Sequence, residues 1–477
     1  MSTTTSAEPT ATGKRIGRLP LIAAGIFAVA LVIGIVIAIA GGKAGLWGLV
    51  PIGLYALLAL FGVDVVLATV GALVIAAVMT RTGPIPLGSQ MATSLGSLVA
   101  VIGVIILLGA ALGQVTQVTG AAQALIRFVM GRIGLNTPTR VQLGIMVSSL
   151  IIVGALGTLA GGNAILAPII IPIAARTGWR PPAVAAMLHA AGAAGLMTGP
   201  FTPPVVTLMA ATRLSYGGYL LHAGLPVAAV TIVTGFFMAR WIQRHTDQEY
   251  TAADAADTAA ETAAAAGADG RRARRAALTF AVVLLALAVY GIVEKAPYSY
   301  AVIVMIVTAV ATGLAGGLAP KKILDTVYAG AARLIWLFLL FWMLDPLLTL
   351  IGKTGAFESV FTDLKPVLSH AGPWVFLMLI VFLGYLHAVP GAAVAQVVLV
   401  NKLFGPIAAA LGIAPGVWAV ALLGTAQIDQ LGPLPGADMI GQMGLARSSS
   451  LRLMLFNGWA IIVTNTALFA VLFLAMT

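Results

Sequence analysis

The stretch Gly195-Leu-Met-Thr-Gly-Pro-Phe-Thr-Pro-Pro204 interrupts an apolar segment that extends from residue 183 to residue 211. Two consecutive prolines remove two amide donors and clash with the preceding turn, so this segment is predicted to unwind in its middle. A stretch of the same kind, Gly432-Pro433-Leu434-Pro435-Gly436, interrupts the apolar segment 415–444. Matching unwound points in two corresponding helices are typical of the substrate site of a secondary transporter.

The two stretches belong to a longer internal repeat. Six pairs of residues lie 234 positions apart: Pro172 and Pro406, Gly178 and Gly412, Pro181 and Pro415, Arg213 and Arg447, Ser215 and Ser449, and Gly224 and Gly458. Each half is predicted to provide five crossings and one re-entrant hairpin. Because five is odd, the two halves are predicted to be inverted relative to each other.

The composition places the chain in a membrane. Of its 477 residues, 60% are hydrophobic and 9% are charged, which excludes a soluble multi-domain enzyme. A net charge of +11 would suggest a nucleic-acid partner in a soluble protein. Here the basic residues lie at the ends of apolar segments, so they indicate membrane topology and no nucleic acid is expected. The chain has no cysteine, which excludes disulfides.

The apolar segments predict an all-α polytopic membrane protein with about eleven crossings, of which the first is an extra N-terminal helix outside the repeats. The crossings are predicted near 21–40, 45–62, 64–80, 92–112, 183–211, 219–240, 277–293, 299–318, 331–351, 415–444 and 453–475. Two further apolar stretches, 141–174 and 373–411, carry Gly and Pro in their middle and are predicted to be re-entrant hairpins. The run 21–40 is long enough to span and lacks a good cleavage site, so it is expected to be retained.

The charge distribution orients the chain. With the N-terminus in the cytoplasm, nineteen Lys and Arg side chains lie inside and seven lie outside, in agreement with the positive-inside rule. The C-terminus is then outside, and the protein is expected in the inner (plasma) membrane. The predicted organisation is a cytoplasmic tail (1–20), a scaffold part and a hairpin-and-transport part of repeat 1 (21–134 and 138–242), a cytoplasmic linker (246–276), and the same two parts of repeat 2 (277–366 and 370–475).

The clearest local motif is Gly161-Gly162-Asn163-Ala-Ile-Leu-Ala-Pro168, which is predicted to form the turn of the first hairpin. Exposed backbone at membrane depth is tolerated where it lines a cavity or binds a ligand. Asn163 would add one acceptor and two amide hydrogens to such a site. The alternative is a helix kink in which Asn163 satisfies the broken backbone.

Together with Gly224-Leu-Pro226, the runs 161–174 and 195–204 resemble the divalent-anion/sodium symporters and their relatives in the ion transporter superfamily, among them gluconate, citrate and C4-dicarboxylate permeases. The resemblance implies a scaffold domain, a mobile transport domain with both hairpins and both broken helices, and a homodimer. Dicarboxylate-type members carry Ser-Asn-Thr in each hairpin tip. Here the first tip keeps Asn163, and the second reads His387-Ala-Val-Pro390-Gly391-Ala392.

Ionisable groups in the second half are candidates for ion coupling. Asp429 directly precedes the unwound Gly432-Pro433, and an acid at that depth costs about 2.5–3.5 kcal/mol on insertion scales, so it usually marks an ion route. The further coupling candidates are His387, Asp345 and Gln427, and His189 lies in the fifth crossing. The alternative for each is a structural ion pair or helix cap. No metal-ligand spacing is convincing, and no cofactor is expected beyond a bound Na⁺.

The chain has no ATPase-type phosphate loop and no nucleophile elbow, so transport driven by an ion gradient is favoured over ATP hydrolysis and over an enzyme. The favoured function is symport of a small organic anion, a carboxylate by preference, with H⁺ or Na⁺ by elevator-type alternating access. The rival is a Na⁺/H⁺ antiporter in which Asp429 and Asp345 bind the cation. The predicted substrate-site residues are Gly162, Asn163, Thr198, Thr202, Pro390, Gly391, Gly432 and Pro433.

Overall fold

A computed structural model describes residues 19–134, 136–251, 270–386 and 393–476. These residues form helices and connecting turns, and no strand occurs among them, which confirms the all-α prediction. The helices are α1 (Leu19–Ala40), α2 (Val50–Leu60), α3 (Val65–Met79), α4 (Pro84–Ser94), α5 (Leu98–Val118), α6 (Ala121–Ile133), α7 (Pro138–Leu156), α8 (Leu159–Arg176), α9 (Pro181–Thr198), α10 (Pro203–Thr212), α11 (Tyr216–Arg244), α12 (Gly270–Val293), α13 (Tyr300–Ala315), α14 (Pro320–Ala332), α15 (Ile335–Lys353), α16 (Ala356–Leu386), α17 (Ala393–Ala410), α18 (Pro415–Leu431), α19 (Ala437–Leu445) and α20 (Leu451–Met476).

Nine stretches of the described chain are long and apolar enough to cross a membrane, and five shorter apolar helices accompany them. The protein is therefore a multi-pass membrane protein. Some predicted crossings are short helices, as with α2 and α3, because Gly62 and Asp64 end one helix and start the next. Amphipathic helices that the crossing pattern did not predict, α6 and α14, lie between the longer ones.

The chain divides into two compact units. The first comprises residues up to Ser94 and Met343–Val360, and the second comprises the rest. In the first unit α1, α2 and α3 pack on one another, and Asp64 starts α3 by accepting hydrogen bonds from two of its free amides. Lys43 pairs with Glu358 at 2.5 Å. This exposed pair holds the pKa of the Glu358 carboxyl below its usual value.

The first hairpin turns earlier than predicted. Gly157 adopts a left-handed conformation (φ 73°) that ends α7, and Thr158 is extended and starts α8. The motif 161–168 therefore lies inside α8, and the prediction that it forms the turn is wrong. Glycine reaches a positive φ without steric cost, so the single Gly157 is enough to reverse the chain here.

Both predicted helix breaks are present in the second unit. α9 ends at Thr198, Gly199 is extended, and α10 begins at Pro203. In the second repeat α18 ends at Leu431, where Gly432 has a positive φ of 61° and an extended ψ of 146°, and α19 begins at Ala437. The proline and glycine signals in the sequence therefore act as expected, because proline lacks the amide hydrogen that a continuous helix needs and glycine can adopt the positive φ seen at Gly432.

The local geometry repeats at the same offset as the sequence. Arg213 and Arg447, 234 positions apart, each have φ of 58°, a conformation that few non-glycine residues adopt. Gly224 lies against the carbonyl oxygen of Met197, and Gly458 lies against that of Leu431, and these two carbonyls are also 234 positions apart. The inverted relation between the halves stays a prediction.

Candidate functional site

The two broken helices lie among the hairpin arms of the second unit. The second arm of the first hairpin, α8, packs against α19, which is the short half-helix of repeat 2. Conversely, the second arm of the other hairpin, α17, packs against α10, which is the short half-helix of repeat 1. Each repeat therefore supplies a hairpin arm to the broken helix of the other repeat.

Hydroxyl groups cap the free backbone carbonyls at the first helix break. The last carbonyls of a helix lack an intrahelical donor. Here Thr202 Oγ1 donates to the Leu196 carbonyl at 2.6 Å, Tyr219 donates to that of Met197 at 2.8 Å, and Tyr216 donates to that of Thr198 at 2.5 Å. Thr202 is fully buried, and its hydroxyl is engaged within the break. The structure therefore places Thr198 and Thr202 at the break, with these groups used to stabilise it.

Asn163 lies at the junction between the two repeats. Its Oδ1 accepts a hydrogen bond from Ser149 Oγ at 2.7 Å. Its Nδ2 donates to the Leu188 carbonyl at 3.1 Å and to Gln442 Oε1 at 2.7 Å. Neighbouring Gly162 packs against the backbone of Val153 in α7. Both amide hydrogens of Asn163 are thus engaged by protein acceptors, and Gly162 permits close approach of two helices.

Gln442 on α19 is a polar group that the sequence reasoning missed. Because Asn163 holds its Oε1, the orientation of the amide is fixed, and its Nε2 is buried with no hydrogen-bond partner within the described part of the chain. A buried donor left without a partner costs about 1–3 kcal/mol, so a ligand or water is expected there. The signal that could have found it is a lone Gln on an apolar half-helix just after an unwound stretch.

Side chains from both repeats meet at the second break. His189 of α9 is fully buried, and its Nε2 lies 2.7 Å from the backbone oxygen of Gln430. Its Nδ1 lies 3.2 Å from Nδ2 of Asn457 on α20. The Pro433 carbonyl accepts a hydrogen bond from Trp459 Nε1 at 2.9 Å. The carbonyl groups of Gln430 and Pro433, before and after Gly432 in the sequence, are thus both in contact with side chains.

Two acids flank the second break. Asp429 lies in the last turn of α18, and Asp438 lies in the first turn of α19, close enough for the two carboxyl groups to interact electrostatically. Asp438 was not predicted. Two residues before Asp429, Gln427 Oε1 accepts a hydrogen bond from Asn465 at 2.8 Å, and Asn465 also donates to Thr231 at 2.9 Å.

The remaining predicted residues lie either outside the described residues or in the first unit. His387, Pro390 and Gly391 fall in 387–392, which lies outside the described residues. Asp345 lies in α15, in the part of the chain that belongs to the first unit. Within the described ranges, no three His, Asp or Glu side chains are grouped so as to hold a metal ion.

The chain matches the model of a protein family and is similar in fold to a solved transporter structure. The family model of the tripartite ATP-independent periplasmic transporter, DctM component, matches residues 25–474. No curated protein matches the chain. Among solved structures, the YdaH transporter of Alcanivorax borkumensis is similar with a TM-score of 0.64 and 13% sequence identity, over 95% of this chain and 98% of that chain. At 13% sequence identity, this similarity shows a shared fold alone.

Proposed function

The chain belongs to the DctM family of tripartite ATP-independent periplasmic transporters, and from this premise we propose that it is the membrane component of a secondary transporter for C4-dicarboxylates and related organic anions. Transport is by symport with H⁺ or Na⁺, through alternating access of the elevator type found in the ion transporter superfamily. The observation behind this proposal is the pair of broken helices, each packed against the hairpin arm of the other repeat. Irregular backbone at membrane depth is expected where a substrate or an ion binds.

Amide donors are proposed to hold the anion. The N-terminus of α10 begins with Pro203 and Pro204, which have no amide hydrogen, so that half-helix offers few backbone donors. The fixed Nε2 of Gln442 is buried and without a protein partner in the described structure, and we assign it to a substrate carboxylate. A hydrogen bond to a charged group is worth about 1.5–3 kcal/mol. Asn163 is proposed to position Gln442, and Pro390 and Gly391 remain predicted substrate-site residues.

Asp429 is proposed as the coupling residue, with Asp438 beside it. Ionisation of both carboxyl groups at one break costs free energy in a medium of low dielectric. The pair therefore favours binding of either a proton or a cation. His387 and Gln427 are proposed to support this site. Asp429→Asn keeps the shape of the side chain and removes its titration.

Ligand stabilisation of the purified chain is the experiment that tests the proposed substrate. Binding to the folded state raises stability by about 2.7 kcal/mol at a ligand concentration 100-fold above Kd. Succinate, as the probe C4-dicarboxylate, is expected to raise the unfolding temperature of the parent, and a monovalent cation such as K⁺ with chloride is not. The proposal fails if a panel of mono-, di- and tricarboxylates, with and without Na⁺ and across pH, leaves the unfolding temperature unchanged.

A Na⁺/H⁺ antiporter is the second candidate. One observation favours it: the N-terminus of α19, which could otherwise attract an anion, carries Asp438 in its first turn. Proteoliposomes that contain a pH-sensitive dye and no carboxylate distinguish the two. An antiporter alkalinises or acidifies the lumen when Na⁺ is added, whereas the proposed symporter gives no response until the anion is supplied.

The family name describes three components, and we propose that this chain works in the lipid bilayer with two others, at least one of them periplasmic. The homodimer that the resemblance implies is retained as a proposal. Native mass spectrometry of the chain in detergent tests it directly: a single-chain mass at all protein concentrations removes the homodimer and leaves the partner components as the expected neighbours.

A further inference from the structure

The second helix break differs from the first in the chemistry of its cap. The Gln430 carbonyl lies in the last turn of α18, and the break at Gly432 removes the amide that would have bonded to it. His189 of the other repeat supplies the missing donor from Nε2 at 2.7 Å. The equivalent carbonyl in repeat 1, 234 positions earlier, is that of Leu196, and Thr202 caps it through a hydroxyl. One break is thus capped by a group that does not titrate near neutral pH, and the other by an imidazole.

The partners of His189 fix its tautomer. A backbone carbonyl can only accept, so Nε2 carries the hydrogen. In the neutral ring Nδ1 is then an acceptor, and it takes a hydrogen bond from Asn457 Nδ2 at 3.2 Å. The ring and Asn457 are both fully buried.

The same three residues offer an arrangement for the protonated ring. A second proton on Nδ1 turns that atom into a donor, which requires an acceptor in place of Asn457 Nδ2. Oδ1 of Asn457 is buried and without a hydrogen-bond partner in the described structure. Rotation of the Asn457 amide by half a turn brings Oδ1 to Nδ1. The protonated ring would then have both hydrogens satisfied, and its bond to the Gln430 carbonyl would be charge-assisted and stronger.

We propose that His189, Asn457 and the Gln430 carbonyl form a proton-binding site that links protonation of a residue in repeat 1 to the helix break of repeat 2. This inference rests on the proposed function in one respect: the bound proton would supply positive charge to a break whose own side chains are acidic, which assists binding of a carboxylate. The proton is the transported or regulatory ligand, and no other group is needed at this site.

The charged and titratable groups around His189 are distributed unevenly. Of the helices packed on α9, α18 and α19 bring Asp429 and Asp438 to the break. The other charged and titratable side chains of the helices packed on α9 lie near helix ends. They are Arg140 of α7, Arg176 of α8, Arg213 after α10, Tyr216, Tyr219, His222, Arg240 and Arg244 of α11, Arg447 after α19 and Arg452 of α20. Asp429 and Asp438 are therefore the acids that the helices packed on α9 bring to the same helix break as His189.

Nitrogen NMR of the full chain tests the site without reference to transport. The chain is labelled with ring-¹⁵N histidine and reconstituted in liposomes between about pH 8 and pH 5, the range in which histidine ordinarily titrates. The His189 signals are assigned by difference against His189→Gln. If that variant does not fold, a variant in which His222, His245, His370 and His387 are replaced by Gln leaves His189 as the one histidine.

The expected result is a neutral ring with hydrogen on Nε2 at high pH and a ring with both nitrogens protonated at low pH. Asn457→Leu lacks the acceptor Oδ1. In this variant the second protonation of the His189 ring is expected at a proton concentration at least tenfold higher, which is a pH at least one unit lower. The control Tyr219→Phe removes a cap of the first break and is expected to leave the titration unchanged. A neutral ring throughout the range, hydrogen on Nδ1 in the neutral ring, or an unchanged titration in Asn457→Leu overturns the proposal. A titrating His189 in a chain that binds no carboxylate would leave this site standing and reject the proposed function.

Discussion

At the scale of single residues, the site is built from amides whose orientation is set by other amides. Asn163 has its oxygen and both hydrogens engaged, whereas Gln442 has its oxygen held and its nitrogen without a protein partner in the described structure. The ligand role expected for Asn163 from the sequence is thus better suited to Gln442, with Asn163 as its positioning residue.

Gln442→Leu is expected to weaken binding of a C4-dicarboxylate about ten- to a hundredfold, because one hydrogen bond to a charged group is lost. It is also expected to lower stability by about 1–3 kcal/mol, because Asn163 Nδ2 loses its buried acceptor, Gln442 Oε1. Isothermal titration calorimetry with succinate measures the affinity. Gln123→Leu, the same change at a buried glutamine of α6, is the control and is expected to bind succinate as the parent does.

Asn163→Ala is expected to lower both affinity and stability, because it releases Gln442 and leaves Ser149 Oγ and the Leu188 carbonyl with only the 3.3 Å hydrogen bond between them. The loss of stability is expected to be about 1–3 kcal/mol. Asn163→Asp is expected to be worse, since it adds a like charge near the substrate and removes both amide hydrogens. Chemical unfolding in detergent and succinate titration measure the two effects. Parent-like affinity in Asn163→Asp would place the substrate elsewhere and favour the antiporter.

At the scale of helices, close packing of glycine on a carbonyl oxygen defines the second break. A Cβ atom at Gly458 would overlap the carbonyl oxygen of Leu431, the last residue of α18, whereas Gly441 of α19 has open space around its Cα. The backbone of α20 therefore lies directly against the end of the broken helix.

Gly458→Ala is expected to destabilise the protein by about 1–3 kcal/mol, the usual cost of overpacking, because the obstacle is backbone rather than a movable side chain. Gly441→Ala is the matched control and is expected to stabilise by about 0.5–1 kcal/mol, since alanine has the higher helix propensity. Thermal unfolding of the two variants in the same detergent gives the comparison. Equal unfolding temperatures would show that α20 is free to move away from the break.

The sequence predicts elements better than contacts. The two breaks were predictable because Gly432, Pro433 and the prolines 203–204 act on their own backbone. The turn at Gly157 was missed because a single glycine competes there with the richer motif 161–168. Gln442 and Asp438 were missed, and His189 was not assigned a partner, because their interactions join residues 241–279 positions apart or arise after folding. Propensity and periodicity carry no information on such pairs.

At the scale of the whole molecule, buried hydrogen bonds join the two repeats inside the second unit. Asn163 bonds with Gln442, His189 with Asn457, and Thr231 with Asn465, which is its own equivalent at the 234-residue offset. A buried polar pair is costly to break because each partner is left unsatisfied. We therefore expect the hairpins and broken helices of the second unit to move as one body during transport.

Cysteine labelling tests the predicted topology, and the cysteine-free chain gives no background. In intact cells, Thr477→Cys is expected to react with a membrane-impermeant maleimide. Ala260→Cys in the linker is expected to react after permeabilisation, because the flanking arginines keep the linker in the cytoplasm. Reaction of both variants from the same side would contradict the inverted repeat.

The most direct test is the uphill accumulation of radiolabelled succinate in proteoliposomes that contain the chain with its two proposed partner components, under imposed proton and Na⁺ gradients, measured together for the parent and for Asp429→Asn. The parent is expected to accumulate succinate above the external concentration. Asp429→Asn is expected to exchange succinate across the membrane at equal concentrations and to lose accumulation, because the site remains and the titratable group is gone. Equal accumulation by both proteins at every pH, or saturable exchange by neither, would contradict an anion site at the two helix breaks coupled through Asp429.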